Sequence, residues 1–210
     1  MYLFTRSTVA AVDRQPEAIT AALEVGAIAA DATGWSVNVF ATVSGAPTGT
    51  ITWATTIASF AELEAGNEQL LADDAYVAKV DSMRGLFAVP AEDGLMRFLS
   101  SPINAATSTS RYYGVTRASM SPGHFAEAAA FGVRCADYIA ASNLLPCTFV
   151  KSGYGGFGDV GWIVGFEGAD GVDAFDEWQM SDSTYLEMLN EAAPLFVDNT
   201  GHTSLIRRLN

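Results

Sequence analysis

Residues 53–81 read WATTIASFAELEAGNEQLLADDAYVAKVD, and residues 162–190 read WIVGFEGADGVDAFDEWQMSDSTYLEMLN. Set together with a shift of 109 and no gap, Trp53 falls on Trp162, Ala65 on Ala174, Glu68 on Glu177, Asp73 on Asp182 and Tyr76 on Tyr185. Five identities in 29 positions are few. The pattern around them is stronger, because the same kinds of segment follow one another in the same order on both sides. Self-similarity of this kind reads as a duplicated structural unit.

Working outward, the first half opens on a strand over 2–8. Helical spacing follows at Ile19, Leu23, Ala27 and Ala30, with Pro16 suited to a first turn. Trp35, Val37, Val39, Ala41 and Val43 alternate as in a strand with one buried face, and residues 44–49 make a turn. Ile51, Trp53, Thr55 and Ile57 give the next strand. A helical region covers 60–84, acidic early and basic late at Lys79 and Arg84, as the helix dipole prefers. Leu95 to Leu99 is the last strand. The second half repeats this: a strand over 112–117, a helix after Ser121 and Pro122, alternation at Leu145, Cys147 and Phe149 and again from Val160 to Phe166, a helical region over 171–192, and a strand from Leu205 to Leu209.

Each half therefore reads β-α-β-β-α-β, the ferredoxin-like order. The expected fold class is α+β: a first unit over 1–99, a small polar linker over 100–110 and a second unit over 111–210. Helices cover one face of each antiparallel sheet. The other face, expected to carry Trp53, Trp162 or their neighbours, needs cover, and two such sheets packed face to face in one chain supply it. Arg6 and Arg117, in the pairs Thr5-Arg6 and Thr116-Arg117, end equivalent first strands on this reading.

The duplicated pattern resembles the dimeric α+β barrel superfamily. The segments Asp73-Asp74-Ala75-Tyr76-Val77 and Asp182-Ser183-Thr184-Tyr185-Leu186, each before a helical run, and the endings Leu95 to Leu99 and Leu205 to Leu209 look like its NIPSNAP and antibiotic-biosynthesis-monooxygenase-like branches. The resemblance implies a tandem barrel within one chain. It leaves function open among cofactor-free monooxygenases, haem-degrading proteins, decarboxylases and peroxidases, since the fold hosts many chemistries.

Composition narrows the classes. Half of the 210 residues are hydrophobic and 17% are charged, enough for a real core. The net charge is −13 and the only lysines are Lys79 and Lys151. Phosphate recognition needs a basic stripe, so nucleic acid is not an expected partner, and an anionic membrane surface repels such a chain. The first residues read as a strand, not a signal peptide, and a cytoplasmic location is expected. Cys135 and Cys147 read as reduced core thiols.

Candidate binding residues are Arg6 and Arg117 as anion anchors, Trp53 and Trp162 as pocket walls, and His124 near a helix start. His124 and His202, the two histidines, lack a third ligand at recognisable spacing, so no metal is expected. The run Gly153-Tyr154-Gly155-Gly156-Phe157-Gly158 joins two strands and opens no helix, so it is no nucleotide cradle. Its Tyr154 and Phe157 are expected to contact a protein partner. With no nucleophile motif, metal cluster or nucleotide loop, the leading expectation is a non-enzymatic binding or self-assembly module, a component of a larger particle such as a viral shell or tail, without cofactor. The alternative is a cofactor-independent monooxygenase using the inter-sheet cavity, with His124, Arg117 or Trp162 near the substrate.

Overall fold

Seven strands and α-helices are laid out twice in the same order in the computed structural model, which describes residues 1–103 and 108–210. The first series is β1 (Tyr2–Val9), α1 (Gln15–Thr33), β2 (Asn38–Ser44), β3 (Thr50–Ile57), α2 (Phe60–Ala72), α3 (Asp74–Ser82) and β4 (Glu92–Phe98). The second is β5 (Tyr112–Ser119), α4 (Phe125–Asn143), β6 (Cys147–Tyr154), β7 (Asp159–Phe166), α5 (Ala169–Ser181), α6 (Ser183–Ala192) and β8 (His202–Arg208). The hydrogen-bonded strand order β1-β3-β2-β8-β5-β7-β6-β4 closes into an eight-stranded barrel. The chain has the α+β, dimeric α+β barrel fold. Of the linker expected over 100–110, residues 104–107 lie outside the described residues.

The chain forms two compact units, Met1–Leu95 with Arg207–Asn210, and Met96–Ile206. In the first, β1 pairs antiparallel with β3, Arg6 opposite Trp53 and Phe4 opposite Thr55, and β3 pairs with β2. The end of the chain completes the edge: Leu209 N–H donates to Val39 O, and the Asn210 side chain bonds Val39 N–H and Val37 O, both at 2.9 Å. In the second, β5 pairs with β7 and β7 with β6. There Leu99 N–H donates to Phe149 O, and Ser100 Oγ accepts from Phe149 N–H at 2.7 Å. Each unit thus takes its edge from the tail of the other half of the sequence.

Two expectations about elements are corrected. The helical regions 60–84 and 171–192 are each broken in two, at Asp73 and Asp182. Both have extended backbone and accept a hydrogen bond from the backbone N–H three residues on, Tyr76 and Tyr185, at 2.7 Å. They are N-caps, whose side chains start a new helix in place of continuing the old one. The second strand begins at Asn38, not Trp35: Trp35 stands before it and packs on Gly66 of α2, where a Cβ would collide with the indole.

The helix-facing residues repeat with a shift of 110. Buried Ala18, Ala21, Ala22, Val25, Gly26 and Ala29 on α1 correspond to Ala128, Phe131, Gly132, Cys135, Ala136 and Ile139 on α4. Small residues let each helix lie close on its sheet.

Candidate functional site

Alternation along β1 sends Phe4, Arg6 and Thr8 to one face of the first sheet, and their partners on β3 send Ile51, Trp53 and Thr55 to the same face. This is the helix-covered face. Trp53 Nε1–H donates to the Ala22 carbonyl of α1 at 2.9 Å, and Trp162 Nε1–H donates to the Gly132 carbonyl of α4 at 3.0 Å. The expectation that these tryptophans face a second sheet is therefore corrected. A buried indole N–H needs an acceptor, and helix carbonyls provide it.

Between sheet and helices the first unit has a half-open cavity of about 450 Å³. Phe4, Trp53, Phe87 and Trp35 form its aromatic wall, and Val25, Gly26 and Ala29 of α1 and Leu70 of α2 its apolar floor. Its polar groups are few: Arg6, Arg84, Asp93, Thr8, Thr55, Asn67 and Tyr76. That balance, mostly apolar with a few placed polar atoms, is typical of small-molecule sites.

Arg6 and Asp93 form a bidentate pair at the cavity edge, Nε to Oδ1 and Nη2 to Oδ2, both 2.7 Å. Hydrogen bonding to Asp93 is the main cause that raises the Arg6 pKa against the cost of burial, and Tyr76 adds to it. The guanidinium also lies 5.8 Å from the Phe4 ring centroid. Thr8 Oγ1 donates to Val89 O at 2.8 Å, whereas the buried Thr55 Oγ1 has no hydrogen-bond partner.

The second unit is packed with rings, at positions whose first-unit counterparts do not themselves line the cavity. Phe149 stands for Val39, Phe131 for Ala21, Phe166 for Ile57 and Phe175 for Gly66. Phe149 lies 4.8 Å from Trp162, Trp162 lies 5.5 Å from Phe196, and Phe175 stacks on Trp178 at 5.5 Å, centroid to centroid. Gly132 is what admits Phe149, since a Cβ there would collide with the ring.

The other sequence candidates lie elsewhere. Strand register puts Thr116, opposite Trp162, at the position of Arg6. Arg117, opposite Gly161, is exposed, so Arg6 and Arg117 are not equivalent: the pairing by Thr-Arg dipeptides slips one residue, which in a strand reverses the face. His124 precedes α4 and bonds Glu127 through Nδ1 at 2.6 Å. Tyr154 and Phe157 are 76% and 87% exposed, and Phe157 meets Phe125 edge-on. Cys135 and Cys147 form no disulfide. Among the described residues, no three His, Cys, Asp or Glu side chains gather as a metal ion requires, and no helix is long and apolar enough to cross a membrane. Asp93, Thr55 and Phe87 escaped the sequence reading. Arg6–Asp93 and Thr116–Thr203 share the separation of 87 residues, an equivalence that only the strand register reveals.

No family model matches the chain, and no curated protein matches its sequence. Its fold is shared by solved structures that it matches from end to end. A protein of Fusobacterium nucleatum provisionally called a monooxygenase superposes with a TM-score of 0.75 at 8% identity, over 100% of this chain and 92% of that one. Another from Lactobacillus acidophilus, similarly called, gives 0.68 at 8% identity over 99% and 93%. An anthrone oxidase-like protein gives 0.70 at 13% identity over 100% and 91%. The expectation of a non-enzymatic assembly module, with its shell or tail context, is corrected by these matches: these three end-to-end neighbours carry names of oxidation enzymes.

Proposed function

We propose that the chain is a small-molecule enzyme of the cofactor-independent monooxygenase type, acting in the cavity of the first unit. The observation that carries the reading is the Arg6–Asp93 pair set at the edge of an aromatic-walled cavity of about 450 Å³. The location differs from the inter-sheet space expected from sequence, because the cavity lies between sheet and helices. The fold neighbours named for oxidation support the class and leave the substrate to the cavity itself.

An aromatic substrate with an acidic methylene suits this setting. The methylene proton passes to solvent and is recovered in the water formed, leaving a carbanion whose charge rests largely on a conjugated oxygen, and a fixed guanidinium such as Arg6 stabilises that oxyanion. The carbanion reduces dioxygen: the methylene becomes a carbonyl, one oxygen atom enters the product, and the other leaves as water. All electrons come from the substrate. Trp53 and Phe87 hold the ring system and exclude water, and Asp93 holds Arg6 in register.

Anthrone, which has such a methylene, is a suitable probe. Dioxygen uptake above the spontaneous rate is expected, with at least a 10-fold loss in Arg6→Met. Uptake equal to the spontaneous rate for the native chain, or unchanged in Arg6→Met, sinks the proposal.

A further inference from the structure

Thr55 lies in the middle of β3 and is 4% exposed. Among the described residues its Oγ1 is the buried side-chain oxygen left without a hydrogen-bond partner, whereas buried Thr8 and Thr148 have theirs. An unsatisfied buried hydroxyl is costly, and native structures rarely keep one without use. The hydroxyl is not needed to build the strand. In the second unit Val164 holds the same register, opposite Gly114 as Thr55 is opposite Phe4. Valine has nearly the shape of threonine and no hydroxyl. The unit with the open cavity has the hydroxyl, and the unit filled with rings does not.

Thr55 lines the cavity with Trp53 and Arg6, but its Oγ1 is covered in this rotamer, so the hydroxyl reaches a ligand by turning about the Cα–Cβ bond. Arg6 is opposite Trp53, so Thr55 and Arg6 are diagonal neighbours on one sheet face, with about 7–8 Å between them by strand geometry. We propose that Thr55 is a specificity-determining residue that donates a hydrogen bond to a neutral carbonyl oxygen on an aromatic ligand. The cavity then takes aromatic ketones in preference to hydrocarbons of equal shape. This rests on the proposed enzyme site and names the ligand group it reads, but its test uses binding alone.

The probes are fluorenone and fluorene, which share three fused rings and differ by the carbonyl, read by quenching of tryptophan fluorescence. The native chain binds fluorenone about 10-fold more tightly, the worth of one good neutral hydrogen bond. Thr55→Val abolishes that preference and leaves fluorene affinity unchanged. Thr55→Ser retains it. Because the valine removes an orphan polar atom, Thr55→Val also melts higher, by about 2–4 °C for a chain of this size. A native chain with no preference for the ketone, or a preference that survives in Thr55→Val, overturns the inference, and so does a lower melting temperature in Thr55→Val. If anthrone oxidation is absent while the ketone preference follows Thr55, the enzyme reading falls and the Thr55 contact stands.

Discussion

Arg6 and Asp93 meet fork to fork, both contacts 2.7 Å, where the second unit has Thr116 and Thr203 meeting hydroxyl to hydroxyl at 3.0 Å. The side chains of the charged pair are 38% and 47% exposed, so solvent screens most of its contribution to folding. One position thus holds a charge pair in the unit with the cavity and a neutral pair in the unit packed with rings. The contrast argues for function at Arg6, because the same architecture closes without it.

The first prediction follows. An Arg6→Thr, Asp93→Thr double variant, which copies the second unit, stays folded and changes stability by no more than about 1 kcal/mol in a denaturant melt. Its dioxygen uptake with anthrone falls at least 10-fold. A large loss of stability with activity retained would make the pair a structural clasp.

The second prediction concerns the coupling of Ala22 with Val39. In the second unit the corresponding residues are Gly132 and Phe149, and the glycine gives the ring its space. Val39→Phe alone forces a ring against the Ala22 methyl and costs about 1–3 kcal/mol by overpacking. Adding Ala22→Gly recovers much of that loss. A thermodynamic cycle over four melts checks it, and additive effects of the two changes would count against the assigned equivalence.

The element order was legible because alternation at Ile51, Trp53, Thr55 and Ile57 and the repeated Trp, Asp and Tyr are local features. So was the closed barrel, because a duplicated one-sided sheet has few ways to cover itself. The cavity was not legible. It depends on absent volume beside small lining residues such as Gly26 and Ala29 of α1, and a small residue in a sequence does not say whether a neighbour fills its space. Trp35 shows the difficulty: it seemed to extend a strand, yet its ring packs on Gly66. Arg6 was found as a candidate, but its partner Asp93 was invisible until strand register brought two distant positions together.

A third prediction concerns acid. Asp182 caps α6, and the Tyr185 N–H, then the Tyr138 hydroxyl, hold its carboxyl below the usual aspartate range. A depressed carboxylate contributes stability above its unfolded pKa, near 4, and that contribution is lost as pH falls through the folded value. Asp182→Asn is expected to flatten the acid limb of the stability curve, with Tyr138→Phe flattening it less. Identical acid limbs in the native chain and Asp182→Asn would disprove the assignment.

The last prediction concerns alkali and the two thiols. Burial raises the Cys135 pKa from 9.0 to about 11, partly opposed by Arg134. Burial likewise pushes Cys147 up to about 12, helped by the nearby Cys135 and Asp137. Both stay protonated in the folded chain where the unfolded chain has already ionised. Their contribution is therefore fully present below the unfolded pKa of 9.0 and is lost as pH rises towards the folded values. The first unit has Val25 and Val37 at the corresponding positions, so Cys135→Val with Cys147→Val is a substitution the architecture already accommodates. The stability difference between the native chain and this double variant should be flat up to pH 9 and then move against the native chain by on the order of 2–4 kcal/mol by pH 11. Groups remote from the thiols titrate alike in both chains and cancel in the difference, whereas Tyr185, raised by burial and further by the two cysteines, is part of what the difference reads. Thiol labelling at pH 8 gives an independent reading: it should be slow in the native state and fast in denaturant, because only the thiolate reacts. A difference that stays flat through pH 11, or native labelling as fast as that of the unfolded chain, would show that the thiols are not held protonated by the fold.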